Sequence, residues 1–264
     1  LIERSLKHIE NNLEHRRLQK IWESQPGLFY FKFSSTKWIL IDLRAESYQI
    51  TMMDKKPSDR NIQSQFLIAL RNHLENGKLI DFKQLNFDRT VKMTFIGTNR
   101  IMETVQYHLY VELMGKHSNM ILTDREDIVI NAHKLTPYRT ETEHPVRVGE
   151  SFTPMEAVRL HPLEVTDTLK EVTDFPLGFY NKLVKRLPEE LKELPVKELY
   201  QKLLEEPGLY LYLKDGNYMD FHLFKTDAFD MEYQEDFFLG IQRFFDKKKD
   251  NLLHSDAKQE SALI

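Results

Sequence analysis

The chain contains no cysteine. That excludes disulfides, thiolate zinc sites and cysteine nucleophiles, and it suits a reducing compartment. Glycine is sparse, nine in 264 residues, and the glycines never gather into a phosphate-cradling series or end in Gly-Lys-Ser/Thr, so no nucleotide-binding loop is present. Ten histidines are scattered without a His-Glu-x-x-His helix, and no Gly-x-Ser-x-Gly elbow occurs. No metal, cofactor, hydrolase nucleophile or small-molecule substrate is therefore expected. No apolar run approaches the ~20 residues that span a bilayer, and no charged segment followed by an apolar one opens the sequence at Leu1. A cytoplasmic protein without membrane contact is expected. A polybasic arm is also missing. The net charge is −4, with 22 Lys+Arg against 19 Asp+Glu in residues 1–150 and 15 against 22 in residues 151–264. Nucleic-acid binding would have to come from a local patch.

What is present can fill a core, since 41% of the residues are hydrophobic; the length suits one large domain or two modest ones. Ile2, Leu6, Ile9 and Leu13 recur at helical spacing, which predicts an amphipathic first helix. The period then shortens. Leu18 to Trp22 and Leu28 to Phe33 flank Pro26-Gly27 as a hairpin would, and Lys37 to Asp42 and Tyr48 to Met52 continue an antiparallel meander. Ser58 or Asp59 is placed to cap a helix through Phe66, Leu70 and Leu74 that stops at Asn76-Gly77. Arg71 and His73 near its end suit the helix dipole. Lys78 to Leu85 and Thr90 to Gly97 read as a hairpin tipped by Asn86-Phe87-Asp88-Arg89. A further strand is expected over Asp127 to Lys134, followed by an irregular segment around Tyr138-Arg139-Thr140.

His108 to Val111 and Met120 to Leu122 make the next hairpin, joined through Gly115-Lys116-His117-Ser118-Asn119. Gly115 can take positive φ, while Ser118 and Asn119 can bond the local backbone, leaving Lys116 and His117 to point outward. Residue types alone leave open a well-made turn or a rigid loop offering donors to an anion. The same holds for the other tip. Arg89 offers a planar fork suited to phosphate or a base edge, and Asp88 could hold that fork or accept from a hydroxyl or amine; equally, Asp88 could cap its own turn with Arg89 solvated.

Strand pattern is lost between Pro154 and Pro162. Residues 1–150 are read as an α+β domain with an antiparallel sheet or sandwich and packed helices, 151–162 as a linker, 163–231 as a small, mostly helical domain with a β-hairpin, and 232–264 as a helix. Short helices are expected over Leu163 to Val172, Leu177 to Leu187 and Val196 to Leu204, punctuated by prolines. The hairpin is formed by Tyr210 to Leu213 and Met219 to Leu223, and the last helix runs over Glu232 to Leu253. Its Lys247-Lys248-Lys249 run is more simply a solvated face than a phosphate clamp. The chain reads as a binding or assembly module and not as an enzyme.

Taken together, Glu112 through Leu122 resembles the signature of the NFACT family, and Arg71-Asn72-His73-Leu74-Glu75-Asn76-Gly77 looks like that family's Arg-Lys-His-Leu-Glu-Gly segment. Asp88-Arg89 falls where the family carries an Asp-Arg pair, and His133 to Pro137 with Tyr138-Arg139-Thr140 matches in order and spacing. Residues 162–206 resemble its helix-hairpin-helix middle domain more weakly, and Glu232 onward looks like the root of its coiled-coil arm. The resemblance implies an N-terminal fold similar to that of Fpg-type DNA glycosylases. It also implies a role in ribosome-associated quality control: binding the large ribosomal subunit obstructed by peptidyl-tRNA, and recruiting tRNA to add a C-terminal tail, alanine in bacteria. The family's Asp-Arg pair is tied to tRNA engagement, a role that passes to Asp88 and Arg89. Lys116, His117, Ser118, Asn119, Arg71, His73 and Arg139 complete the implied contact set. The arm and the C-terminal RNA-binding domain of the family lie outside these residues, so tailing is not expected of this chain alone. An older family label, fibronectin- or fibrinogen-binding protein, implies the alternative of a cell-surface adhesin. Glycosylase activity, a third reading, rests on fold resemblance alone.

Overall fold

In Leu28–Phe33, Phe29, Phe31 and Phe33 fall on one face and are fully buried; this period of two makes the segment a strand and turns it toward a core. The computed structural model describes residues 2–13, 15–34, 37–54, 62–85, 89–99, 101–154 and 159–247. The protein is α+β, with three antiparallel sheets and several helices. It divides into two units, Ile2–Ala157 and Val158–Ile264.

The first unit begins with α1 (Ile2–Leu13), on which Leu6, Ile9 and Leu13 are buried as their spacing requires. Strands β1 (Leu18–Gln25), β2 (Leu28–Phe33), β3 (Trp38–Asp42) and β4 (Gln49–Met53) form a four-stranded meander. Strands β5 (Lys78–Leu85), β6 (Thr90–Thr98), β7 (Thr104–Glu112), β8 (Asn119–Asp124) and β9 (Val129–Ala132) form a five-stranded one. The sheets meet where the start of β1 bonds the start of β5, with Leu18 N–H donating to Gly77 O at 2.8 Å and Leu79 N–H to Arg16 O at 3.1 Å. Phe33 of β2 stacks on Phe95 of β6 with ring centroids 6.5 Å apart. Helix α2 (Gln65–Leu74) buries Phe66, Leu67, Leu70 and Leu74. Its cap is Ser64, whose Oγ accepts from Leu67 N–H at 3.0 Å and donates to the buried Glu23; Ser58 and Asp59 lie outside the described residues. The helix stops as expected, at Asn76 with φ 68°, a conformation asparagine tolerates.

The second unit departs from expectation in two places. Over Leu163 to Leu187 only a 3₁₀ turn at Pro162–Glu164 and α3 (Asn181–Arg186) are helical. Carbonyls that a helix would use internally are taken by the next element: Val196 N–H donates to Asp167 O and Lys197 N–H to Val165 O. Gly178, with φ 83°, closes a separate turn in which Phe179 N–H donates to Pro176 O. Helices α4 (Glu189–Lys192) and α5 (Val196–Glu205) follow. The expected hairpin is a three-stranded sheet ordered β11-β10-β12, made of β10 (Leu209–Lys214), β11 (Asn217–His222) and β12 (Asp230–Gln234). Residues read as the start of the last helix are therefore strand, because Met231 and Tyr233 alternate against β10, with Tyr233 and Tyr210 rings 4.8 Å apart. Helix α6 spans 237–247. It lies so close to β10 that a Cβ on Gly240 would come 2.9 Å from Leu209 Cδ1. Lys248, Lys249 and Leu253 lie outside the described residues.

His222 of β11 lies against the cluster that Tyr212 and Phe224 form with α3 and α5, its ring stacked on Phe224 at 5.2 Å and tilted on Tyr212 at 5.6 Å, and its Nε2 has no hydrogen-bond partner. Burial pushes its pKa from 6.5 down to about 4, opposed by Asp220, 3.8 Å from Nε2. The unfolded chain thus takes up this proton first. Stability from this group is complete above pH 6.5 and is lost as pH falls toward 4, a loss of up to roughly 3 kcal/mol. Urea unfolding at neutral and acidic pH should show this loss in the wild type and a flatter dependence in His222→Phe.

Candidate nucleic-acid interface

Strand register decides whether the two polar tips share a surface. Leu85 pairs with Thr90 across β5 and β6, Thr90 with Glu112 across β6 and β7, and Glu112 with Asn119 across β7 and β8. Both hairpins therefore turn at the same end of the sheet, on neighbouring strands about 5 Å apart. A backbone bond ties them, Leu113 N–H donating to Arg89 O at 2.9 Å. Arg89 is exposed; Asp88 lies outside the described residues.

The second tip is a 3₁₀ turn at Gly115–His117, with Gly115 at φ 59° and Lys116 and His117 exposed. Serine and asparagine do what their chemistry allows locally. Ser118, 0% exposed, accepts Met114 N–H at 2.9 Å. Asn119, 6% exposed, accepts from Met120 and Lys134 N–H and donates to Lys134 O, each at 2.9 Å. These side chains are engaged inside the loop, so they position the surface and are not exposed to touch a ligand. Asn119→Ala is expected to cost about 2–3 kcal/mol, because it strips partners from buried backbone groups; thermal unfolding checks this.

Lys134, exposed beyond β9, joins the same end by donating its Nζ to Lys116 O at 3.0 Å. Its neighbour His133 packs edge-on to Phe29 at 5.8 Å. Burial, helped by the Lys134 charge, holds the half-buried His133 below the ordinary histidine pKa. Arg89, Lys116 and Lys134 thus form one cationic end of the sheet, with the exposed His117 beside them.

Arg71 and His73 stand apart from it. Arg71 donates Nε and Nη2 to Ile21 O at 3.0 and 2.7 Å and lies 3.7 Å from Glu75, so its fork is spent holding α2 to β1. His73 bonds Ala69 O at 2.7 Å and meets Tyr107 edge-on; Tyr107 lies five residues before Glu112 on β7, about 17 Å along the strand. Arg139 is exposed on the segment after Lys134. That segment is fastened by Thr136 N–H to Val146 O at 2.8 Å and by Arg147 Nη2 to Thr140 O at 2.9 Å.

A second polar cluster escaped the sequence reading. Asp127 Oδ1 is 2.6 Å from both His108 Nδ1 and Tyr110 Oη, with Lys92 Nζ at 3.9 Å. Burial acts to raise the Asp127 carboxyl, but the Tyr110 and His108 hydrogen bonds and the Lys92 charge outweigh it and hold the pKa below the carboxylate range. Burial, and then the bond to Asp127, raises Tyr110. With φ 63°, Asp127 shapes the turn before β9, and its carbonyl accepts Phe152 N–H at 2.8 Å, so the cluster pins the 146–152 strap to the sheet. The alternation of β7 could have revealed it, since His108 and Tyr110 share a face. Among the described residues no group of three or more His, Asp or Glu side chains could hold a metal ion, and no helix is long and apolar enough to cross a membrane.

The five-stranded sheet thus brings cations from two hairpin tips and from the exit of β9 to one end. Residues 1–203 match the family model for NFACT N-terminal and middle domains, and the chain belongs to this family. Its relatives include the Rqc2 homolog RqcH of Streptococcus suis, 27% identical over 161 residues, a match covering 59% of this chain and 29% of that protein. The archaeal Rqc2 homolog aRqcH of Methanocaldococcus jannaschii is 24% identical over 232 residues, covering 75% and 34%. The human ribosome quality control complex subunit NEMF is 32% identical over 111 residues, covering 41% and 10%. The chain thus spans about a third or less of these relatives' lengths. The fold matches the N-terminal part of the fibronectin/fibrinogen-binding protein from S. suis with a TM-score of 0.70 at 18% identity, covering 93% of this chain and 97% of that one. It matches the fibrinogen binding protein of Staphylococcus aureus with the same score and identity, covering 89% and 94%.

Proposed function

We propose that the chain is a non-catalytic tRNA- and ribosome-binding module of ribosome-associated quality control. It engages the obstructed large subunit with its peptidyl-tRNA and supports C-terminal alanine tailing of stalled nascent chains in the cytoplasm. The observation that carries this reading is the bond from Leu113 N–H to Arg89 O, which sets the Arg89 tip beside the Lys116-His117 turn and so offers several donors to one phosphate backbone. The relatives' names, Rqc2 homolog and ribosome quality control subunit, point the same way. In this reading Arg89, with Asp88 beside it in sequence, contacts tRNA, Lys116 and Lys134 neutralise phosphate, His117 offers a further hydrogen-bonding group, and Arg139 extends the surface. Ser118, Asn119, Arg71 and His73 act through the framework. The two-sheet unit is read as a sandwich of the Fpg-type glycosylase kind, without that chemistry.

Filter binding of tRNA at low salt tests the reading: saturable binding supports it, and no binding overturns it. A fibronectin- or fibrinogen-binding adhesin is the second reading, favoured by the names of the two solved neighbours. Saturable binding to immobilised fibronectin with no affinity for tRNA would put it first.

A further inference from the structure

Tyr138 is the most exposed aromatic residue among the described ones, at 76%, yet it is not a loose side chain. The Arg147 guanidinium lies 5.6 Å from its ring centroid, a cation–π distance. Arg147 is itself held, only 17% exposed, with Nη2 donating to Thr140 O at 2.9 Å and Nη1 3.7 Å from Glu150. The turn that carries the ring is closed by Thr140 N–H to Pro137 O at 2.9 Å. The result is a fixed aromatic plane with a cation against it and most of its surface open to solvent. Its place follows from chain length. Tyr138 is four residues from Lys134, hence no more than about 14 Å from it, and Lys134 bonds the Lys116 carbonyl at the cationic end. Arg139 is exposed beside it.

We infer that Tyr138, backed by Arg147, is a stacking platform for an unpaired base, so that the RNA taken at this end is single-stranded or a loop and not a duplex. The inference rests on the nucleic-acid reading above. Its chemistry is that of proteins that track a backbone with cations and stack bases on aromatic rings: every base has a π-face, and only an unpaired base can offer it to a side chain. A duplex keeps its bases stacked on one another and leaves Tyr138 idle.

The test uses the whole chain and a short single-stranded RNA carrying 2-aminopurine, beside the same sequence annealed to its complement. Tyr138→Ala should weaken single-strand binding by about 5- to 100-fold and abolish the fluorescence quenching that stacking causes. It should leave the melting temperature and the salt dependence unchanged, and Tyr138→Phe should restore both affinity and quenching. If Tyr138→Ala binds the single strand like wild type while Arg89→Ala weakens it, the platform is wrong and the nucleic-acid reading stands. A wild-type preference for the duplex also overturns the platform. If the wild type binds neither RNA, the platform and the reading beneath it fall together.

Discussion

Replacing Arg89 and Lys116 together by alanine is expected to lower tRNA affinity by about 2–4 kcal/mol, roughly 30- to 1,000-fold at low salt. Both side chains are exposed and lie on adjoining hairpin tips, so their loss should remove charge and donors without touching the core. A specific cation contact is worth about 1–3 kcal/mol, and two at neighbouring positions add incompletely. The single Arg89→Ala change should therefore account for half or more of the effect, because its planar fork can bond two oxygens where a lysine bonds one. An Arg71→Ala variant is the informative comparison. Arg71 spends its donors on Ile21 O, so this change should lower stability and leave the affinity of the folded protein nearly unchanged. If Arg71→Ala abolished binding in folded protein while the Arg89 and Lys116 variant bound normally, the surface would be misplaced.

Phe29→Ala should bring the largest loss of stability, about 3–5 kcal/mol. The ring is fully buried and meets Phe66 of α2 edge-on at 5.9 Å and His133 edge-on at 5.8 Å. Its removal opens a cavity between β2, α2 and the exit of β9, and the neighbours cannot all collapse into it. For a unit of this size the melting temperature should fall by roughly 6–20 °C. The same ring underlies His133, whose backbone N–H donates to Met120 O at 2.8 Å next to Lys134. Some loss of tRNA affinity below the melting transition is thus expected as well. Calorimetry and filter binding on one preparation separate the two effects. A loss below 1 kcal/mol would mean that Phe29 does not anchor this junction.

The first unit was legible in the sequence because its strands announce themselves by period. Phe29, Phe31 and Phe33 alternate, Pro26-Gly27 supplies the turn, and Asn76 with Gly77 marks the end of α2. Chemistry at single positions was legible too: serine and asparagine after Gly115 do bond the local backbone. What one sequence could not convey was register. Only the pairing of Thr90 with Glu112 and of Glu112 with Asn119 puts the two tips side by side, and nothing local in either hairpin encodes that. Lys134 and Tyr138 were hidden for the same reason, since their roles depend on contacts with Lys116 and Arg147. In the second unit the apolar spacing of Leu163 to Val172 suits a helix, but N–H groups at the start of α5 take the Val165 and Asp167 carbonyls. The helix read over Leu177 to Leu187 forms only over Asn181–Arg186. The stretch before α6 was misread because Met231 and Tyr233 fit either period, and β10 settles the choice. Burial also changed the meaning of Ser118 and Asn119, which carry the family signature by shaping the loop that presents Lys116 and His117.

Titrating the chain with tRNA across a series of salt concentrations tests the central claim most directly. With Arg89, Lys116 and Lys134 on phosphates, the logarithm of the binding constant should fall against the logarithm of salt with a slope of about −2 to −3, and Arg89→Ala should reduce that slope by about one. A slope near zero, or one that Arg89→Ala and Lys116→Ala leave unchanged, would contradict the account.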